Sequence, residues 1–264
     1  MRICLLASGS KGNAVFVESA GQRILIDAGL SGREIQARLG LLGVHAGELD
    51  AILVSHEHGD HCRGLAVLAK RHRLPVYVHP QTRQQLPELQ ALPQVHAFAT
   101  GQPFFLGALE IQAFATTHDA VASVGYTLQG AEGKIGHATD LGMATRLVTD
   151  HLQQCRALIL ETNHDEALLR DGPYPWPLKQ RIRSRHGHLS NTDAAVLLKD
   201  VAWPGLEAVF LAHLSETNNH PDLALAALQE ALRDPLGPAP QLILGYQDRI
   251  SHCFCATAPD NLTI

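Results

Sequence analysis

The stretch His56-Glu57-His58-Gly59-Asp60-His61, directly after the apolar run at residues 51–54, places three histidines and an aspartate within six residues. Alternate residues of an extended chain point to the same side, so His56, His58 and Asp60 are expected to converge, with His61 at the turn that follows. Imidazole and carboxylate groups without a thiolate suit Zn²⁺, Mn²⁺ or Fe. The stretch predicts a metal site, and so many potential ligands close together indicate more than one ion.

A solvated polar loop or a histidine-rich tract is the alternative, because the chain contains 16 histidines among 264 residues. At the His and Asp frequencies of this chain, the pattern His-x-His-x-Asp-His is expected by chance in roughly three of a thousand such chains. The stretch lies, however, between a predicted apolar strand and an apolar helix predicted at residues 63–70. Both flanks therefore favour the metal site.

The overall composition limits the partners of the chain. A length of 264 residues is sufficient for a substantial hydrophobic core. The formal net charge of −5 weakens a nucleic-acid partner without excluding one, since bound cations would reverse the local sign. Five cysteines without regular spacing argue against a disulfide framework and for a reducing compartment. No stretch approaches 18 apolar residues, so we expect a cytoplasmic protein without a membrane span.

The order of the secondary structure elements predicts the fold class. Strands are predicted at residues 2–7, 14–18, 23–27, 51–54 and 75–78, within 104–137, and at 158–160, 209–211 and 242–244. Helices are predicted at residues 31–42, 63–70, 145–154, 176–185, 191–200 and 221–233. The proline-rich residues 171–177 are predicted to form an ordered surface loop. Hairpins and βα units in one uninterrupted chain predict an α/β fold, a four-layer αββα sandwich of two mixed sheets with helices on both outer faces, formed by residues 1–264 as a single domain.

Further polar residues follow predicted strands, namely Asp27, His118, Asp140, Glu161 and His213. The ends of strands are where α/β folds tend to place functional groups. A single such residue is about as often a helix cap or a turn former. Their repetition favours a shared site, because a site for two ions gathers its ligands from several strands.

This ordered set resembles the motifs of the metallo-β-lactamase-fold hydrolases, from Asp27 through the His56-x-His58-x-Asp60-His61 run to His118, Asp140 and His213. The resemblance implies an αββα sandwich with two divalent metal ions, Zn or Mn with Fe possible, at the sheet edge. It implies that one ion is held by His56, His58 and His118, and the other by Asp60, His61 and His213. Asp140 would bridge the two ions, and Asp27 would brace the ligands from behind.

Finer motifs are similar to the YycJ (WalJ) branch of that superfamily, which is regarded as DNA exonuclease-like. They are Ser8-Gly9-Ser10-Lys11-Gly12-Asn13, Glu161-Thr162-Asn163-His164-Asp165, Gly172-Pro173-Tyr174-Pro175, Gly187-His188-Leu189-Ser190-Asn191 and the run at residues 213–219. The chain also resembles the tRNA 3′-processing endonucleases of the superfamily, whose glutamate and histidine form a proton-donating pair. By that resemblance Glu161 and His188 fill these roles. The threonine of that family's His-Ser-Thr element is absent here, so only the histidine is carried over.

In a two-metal reaction Asp60 could accept a proton from the attacking water or orient it. The resemblance implies that Glu161 and His188 protonate the leaving oxygen. A loop histidine before the helix capped by Ser190 or Asn191 is the structural alternative for His188. His164 and Asp165 either face the site or begin a helix.

Three groups of residues are candidates for substrate contacts. Ser10, Lys11 and Asn13 lie in a glycine-containing loop that could bind phosphate, or that only forms a tight turn. Tyr174 and Trp176 are candidates to stack an unpaired base, with structural packing as the alternative. Arg181, Arg183 and Arg185, together with Lys179, are expected to contact the phosphate backbone unless they form a solvated helix face.

The function predicted from these features is that of a metal-dependent phosphodiesterase acting on nucleic acid, an exonuclease at DNA ends. The alternative enzyme is a small-molecule metallo-hydrolase such as a glyoxalase II-like thioesterase, which would not need the Glu161–His188 pair because a thiolate leaves without an acid. A β-lactamase does not follow from the fold alone. A metal-holding protein without turnover is disfavoured by the complete ligand set.

Overall fold

The computed structural model describes residues 1–233 and 237–257. Its strands are β1 (Arg2–Ala7), β2 (Ala14–Ser19), β3 (Gln22–Ile26), β4 (Ala51–Leu53), β5 (Val76–Val78), β6 (Val95–Ala97), β7 (Pro103–Leu106), β8 (Leu109–Ala115), β9 (Val124–Gly130), β10 (Gly133–Ala138), β11 (Ala157–Glu161), β12 (Ala208–Ala212), β13 (Gln241–Leu244) and β14 (Phe254–Cys255). Its helices are α1 (Gly32–Leu41), α2 (Gly59–Cys62), α3 (Leu65–His72), α4 (Pro80–Gln85), α5 (Arg146–Leu152), α6 (Glu166–Asp171), α7 (Trp176–Ile182), α8 (Asn191–Val201) and α9 (Pro221–Ala231). No helix in these two ranges is long and apolar enough to cross a membrane.

The strands form two sheets of seven strands each. One sheet has the order β14-β1-β2-β3-β4-β5-β6, and the other has the order β13-β12-β11-β10-β9-β8-β7. In both sheets an antiparallel part, β1 to β3 or β7 to β10, continues into a parallel part, β3 to β6 or β10 to β13. Parallel neighbours require a crossover connection, which is why helices alternate with the strands there.

Side chains alternate along the strands and so build a core between the sheets and one on each outer face. Ile24 and Ile26 of β3 point to the second sheet, where they share a buried cluster with Tyr126 and Phe210. Leu25, between them, points outward and joins the cluster formed by α1 and α3. The other outer face is covered by α5, α8 and α9 through Val148, Leu197 and Leu228. The layers follow the order helix, sheet, sheet, helix, which confirms the predicted αββα sandwich.

The structure differs from the sequence predictions at two functional segments. The helix predicted at residues 63–70 corresponds to α3, and a separate short helix before it, α2, begins inside the histidine motif. The loop predicted at residues 171–177 is wrong at its two ends, because Asp171 ends α6 and because Trp176 and Pro177 form the first turn of α7, where the helix predicted from residue 176 is correct. Proline lacks an N–H that this turn would leave unpaired anyway, so it is tolerated there. The helix predicted to reach residue 185 ends at Ile182.

The hairpin between β2 and β3 is closed by Ala20 and Gly21 alone, since Ser19 pairs with Gln22. Both central residues have positive φ, 50° for Ala20 and 74° for Gly21. This is the type I′ geometry that suits the twist of a two-residue hairpin. The turn fixes the register of β3 against β2, and β3 leads into Asp27.

We expect Gly21→Ala to lower the free energy of unfolding by about 1 kcal/mol, because a side chain at positive φ is strained. An added Cβ would meet nothing within 4 Å, so packing does not contribute to the loss. Urea denaturation measures the change.

Gly40→Ala is the matched control, because its Cβ would also meet nothing within 4 Å but the residue lies in helix α1. Alanine in place of glycine in a helix should raise the free energy of unfolding by roughly 0.5–1 kcal/mol. A change of the same sign in both variants would contradict the turn geometry.

Candidate metal centre

Strand ends of both sheets carry the predicted site residues to one edge. Asp27 follows β3 and His56 lies just beyond β4, and these two strands are parallel neighbours. In the other sheet Asp140 follows β10, Glu161 ends β11 and His213 follows β12, which are also parallel neighbours. The carboxyl ends of parallel strands meet at the same edge, so each sheet contributes one half of a shared cluster.

The backbone turns sharply where three of these residues leave their strands. Asp27, Asp140 and His213 have φ values of 60°, 53° and 57°, in the left-handed region that residues other than glycine rarely adopt. For His213 two hydrogen bonds hold this conformation: its N–H donates to Ser8 Oγ at 2.7 Å, and Asn163 Nδ2 donates to its carbonyl at 2.8 Å. Backbone strain of on the order of 1 kcal/mol per residue is typical of functional sites.

One group of potential ligands consists of His56, His58 and His118, whose ring nitrogens lie within 4.8 Å of one another. His56 Nε2 is 3.1 Å from His58 Nδ1, so both nitrogens face the same small space. His118 Nδ1 lies 3.1 Å from the carbonyl of Gly187 and donates to it, which leaves Nε2 of His118 as an acceptor. Three imidazole nitrogens arranged in this way fit one divalent ion of the first transition series or zinc.

A second group consists of Asp60, His61 and His213, again with ligand atoms within 4.8 Å of one another. Asp27 Oδ2 lies 2.7 Å from His61 Nδ1, and the carboxylate is itself bound by the N–H and hydroxyl of Ser55. This contact turns His61 Nε2 toward the group, 3.5 Å from Asp60 Oδ2. Asp27 therefore braces the histidine from behind in the manner expected around metal ligands.

Asp140 lies between the two groups. Its Oδ2 is 3.2 Å from His61 Nε2, and its Oδ1 is 3.7 Å from His118 Nε2. Asp140 Oδ2 and His213 Nε2 are buried and have no hydrogen-bond partner among the described residues. Buried polar atoms without a partner are costly, and a metal ion between the groups would satisfy both. The donor set and these two unpaired atoms fit divalent metal ions.

Glu161 is completely buried at the end of β11 and accepts four hydrogen bonds. Its Oε1 lies 2.8 Å from His188 Nδ1 and 2.7 Å from His213 Nδ1. Its Oε2 accepts the N–H groups of Leu141 at 2.8 Å and Leu189 at 3.1 Å. Because both oxygens are engaged by these contacts, Glu161 orients its neighbours, and it also lies with Asp140, His188 and His213 in a third group whose potential ligand atoms are within 4.8 Å of one another. Burial opposes its ionisation, but His188 and His213 lower the pKa of Glu161 to about 2.

The histidines of the centre differ in protonation because burial competes with the carboxylates. Burial holds the pKa of His56 well below its usual value. Burial also acts against protonation of His61 and His213, but Asp140 with other carboxylates outweighs it. The pKa of His61 therefore lies well above its usual value, and that of His213 is raised to about 10. The metal-free centre consequently contains imidazolium–carboxylate pairs.

A cavity of about 220 Å³ adjoins the centre beside His188. We name it the His188 cavity. Its walls include Ser10, Asn163, Tyr174, Ser215 and an ion pair between Arg181 and Asp119. Asp119 follows His118 directly, and its Oδ1 lies 3.4 Å from His118 Nε2.

The structure does not bring every candidate residue to this region. Lys11 is exposed at the rim and pairs with Glu216. Arg183 and Arg185 are exposed and do not line the His188 cavity. Asp165 caps α6 by accepting the N–H groups of Ala167 and Leu168, so the helix-start alternative holds for it.

Several contacts were not foreseen from the sequence. Ser8 and Ser55 hold site residues through their hydroxyl groups, and Asn13 Nδ2 lies 3.0 Å from His61 Nε2. Ser55 lies directly before the histidine motif, and Asp119 lies directly after His118. Their position next to predicted ligands in the sequence could have identified them. Short polar neighbours of ligands are candidates for such bracing.

Metal binding to the metal-free protein near pH 7.5 should release about two protons per chain, because a histidine must lose its proton to become a ligand. His61 and His213, whose pKa values are raised, are the source. Affinity should therefore increase with pH up to about 10, where His213 loses its proton unaided. Calorimetric titration in two buffers of different ionisation enthalpy measures the release.

The exposed His186 offers a control, since His186→Ala should leave the number of released protons unchanged. A binding enthalpy that is identical in both buffers would contradict the charged state of the metal-free centre.

Comparisons with known proteins agree with this geometry. A family profile described as a beta-lactamase superfamily domain matches residues 22–214. The exodeoxyribonuclease YycJ of Bacillus anthracis is 35% identical over 237 residues, which cover 89% of this chain and 90% of the relative. The exodeoxyribonuclease WalJ of Streptococcus pneumoniae serotype 2 is 36% identical over 225 residues, which cover 83% of this chain and 84% of the relative.

A solved structure of similar shape is that of the metallo-beta-lactamase fold protein YhfI from Bacillus subtilis. It matches with a TM-score of 0.72 at 18% identity, over 94% of this chain and 98% of that chain. The similarity in shape confirms the fold, and the similarity in sequence confirms the finer resemblance. The chain therefore belongs to the beta-lactamase superfamily, in the branch of the YycJ and WalJ exodeoxyribonucleases.

Proposed function

We propose that this protein is a metal-dependent phosphodiesterase that removes nucleotides from DNA ends. The observation that carries the proposal is the Glu161–His188 pair, in which the two side chains are 2.8 Å apart beside two groups of potential metal ligands. The relatives named exodeoxyribonucleases, each similar over most of its length, support the same reaction.

The proposed metal ligands are those of the two groups. His56, His58 and His118 would hold one ion, Asp60, His61 and His213 the other, and Asp140 would contact both. Two divalent ions, Zn²⁺ or Mn²⁺ with Fe possible, would activate water and neutralise charge on the phosphate. Asp27 and Glu161 would keep the histidine rings oriented.

Asp60 is suited to orient the attacking water. Its side chain is partly exposed, and Asn13 Nδ2 lies 3.3 Å from its Oδ2. Burial raises the pKa of Asp60, but His213 and His61 outweigh that effect and leave the pKa below its usual value. The carboxylate is therefore ionised at neutral pH and can accept a hydrogen bond from the water.

His188 is suited to protonate the leaving oxygen. Its Nδ1 is engaged by Glu161, so Nε2 is the ring atom left for the substrate. The carboxylate of Glu161 accepts a hydrogen bond from Nδ1 and so orients the ring with Nε2 toward the leaving oxygen. An alkoxide leaving group needs such a proton, whereas the thiolate of a glutathione thioester does not. The pair therefore favours phosphodiester cleavage over a thioesterase.

Contacts with the substrate are proposed along the rim of the centre. The loop of Ser10, Lys11 and Asn13 would meet the phosphate from one side. The exposed Arg183 and Arg185 would contact the phosphate backbone on the other side, whereas Arg181 is paired with Asp119. The DNA substrate, together with five free cysteines, supports action in the reducing cytoplasm.

We expect His188→Ala to slow nucleotide release from end-labelled DNA by roughly 10²- to 10⁴-fold, the usual contribution of a general acid. Metal content by elemental analysis should stay at the parent level, because His188 is not among the proposed ligands. The loss should be smaller with bis-p-nitrophenyl phosphate, whose leaving group needs less protonation. His186→Ala is the control and should keep full activity on DNA.

The metal-free protein, reloaded with Mn²⁺ or Zn²⁺, is also assayed with a glutathione thioester. Thioester turnover with intact DNA would contradict the proposal and indicate the small-molecule alternative. A His188→Ala variant that degrades DNA at the parent rate would remove His188 from the reaction.

A further inference from the structure

The His188 cavity has the size of a pocket for a single chemical unit. Its volume of about 220 Å³ is below the roughly 300–1,000 Å³ of pockets that enclose a drug-sized ligand. A base pair or a run of stacked nucleotides would not enter. The cavity therefore fits one unpaired unit of the substrate.

The charges of its walls cancel, which argues against a phosphate as the occupant. Arg181 and Asp119 form an ion pair across the cavity wall. A phosphate pocket presents cations or N–H donors that are free of anions. Apart from His188, the other polar side chains of the wall are the hydroxyls of Ser10, Tyr174 and Ser215 and the amide of Asn163. Neutral donors and acceptors of this kind suit a sugar and a base.

Tyr174 supplies an aromatic surface for that base. Its side chain is half-buried and forms part of the cavity wall. Prolines on both sides of Tyr174 restrict its backbone. The preceding Gly172 packs closely against the rest of the protein, since an added Cβ there would lie 2.8 Å from Asn218 Oδ1. A rigid aromatic ring at a cavity wall is a stacking platform for an unpaired base.

His188 relates the cavity to the reaction. It lines the cavity, and its Nδ1 is held by Glu161 at 2.8 Å. A unit seated there is therefore next to the group that gives up the proton. We propose that the His188 cavity binds the terminal nucleoside on the leaving-group side of the scissile phosphodiester, with its base stacked on Tyr174.

This inference rests on the proposed function and specifies its leaving group. Water oriented by Asp60 gives up a proton to solvent and adds to phosphorus, and the bond between phosphorus and the oxygen of the seated nucleoside breaks. The bonding electron pair stays on that oxygen, which takes the proton from His188 Nε2. The nucleoside unit leaves with a free hydroxyl group, and one terminal unit is removed per cleavage.

The test compares oligonucleotides that carry either a normal nucleoside or a tetrahydrofuran abasic analogue at the terminal position, placed at each end in turn. For the parent protein, loss of the base at one of the two ends should lower kcat/KM roughly tenfold, the scale of one stacked base. Tyr174→Ala should lower kcat/KM for the normal substrate by a similar factor and abolish the discrimination. Tyr174→Phe should restore it, since the ring is retained.

Trp176→Ala is the matched control, because this nearby aromatic residue is 63% exposed and does not line the cavity. The ratio of kcat/KM for the normal substrate to that for the abasic substrate should be the same in this variant as in the parent. Equal discrimination by the parent and Tyr174→Ala, or no effect of the abasic analogue at either end, would overturn the inference while nucleotide release continues. A parent protein that releases no nucleotide from any DNA but hydrolyses the thioester would overturn the proposed function and the inference together.

Discussion

The buried carboxylate of Glu161 is the group on which the arrangement of the centre depends. A carboxylate without contact to water is costly unless its oxygens are fully hydrogen-bonded, and here four donors satisfy them. These donors come from the loops after β10 and β12 and from the segment before α8. One side chain therefore fixes the proposed proton donor His188, the proposed ligand His213 and the backbone next to Asp140.

The two-sheet architecture explains why such a centre forms at one edge. The parallel part of each sheet sends its strand ends to the same side, and the residues there leave the strands through left-handed backbone turns. The core between the sheets holds these strained turns in place, because the ends of β3, β10 and β12 that lead into them are buried. The stability of the packed sandwich thus offsets the free-energy cost of placing carboxylates and histidines close together at its edge.

The sequence was sufficient for the layers of the fold and for the grouping of the candidate residues. Strand periodicity and the run from His56 to His61 are local patterns, so they can be recognised in the sequence without knowledge of tertiary contacts. Glu161 and His188 were recognised as a pair by resemblance, but the bond from Glu161 to His213 joins residues 52 positions apart and has no local signature. The Arg181–Asp119 pair was missed for the same reason, and it changes the expected role of an arginine that was predicted to face phosphate freely.

The most direct test of this account measures metal affinity and DNA hydrolysis in Glu161→Gln, with His188→Ala beside it. Glutamine keeps the shape but replaces one acceptor oxygen by a donor, so it cannot hold both imidazoles and both N–H groups. We expect a 10- to 100-fold loss of metal affinity together with loss of nucleotide release, the scale for removing a group that orients a metal ligand. His188→Ala should lose nucleotide release alone. Parent-level metal affinity in Glu161→Gln would contradict the central role of this carboxylate.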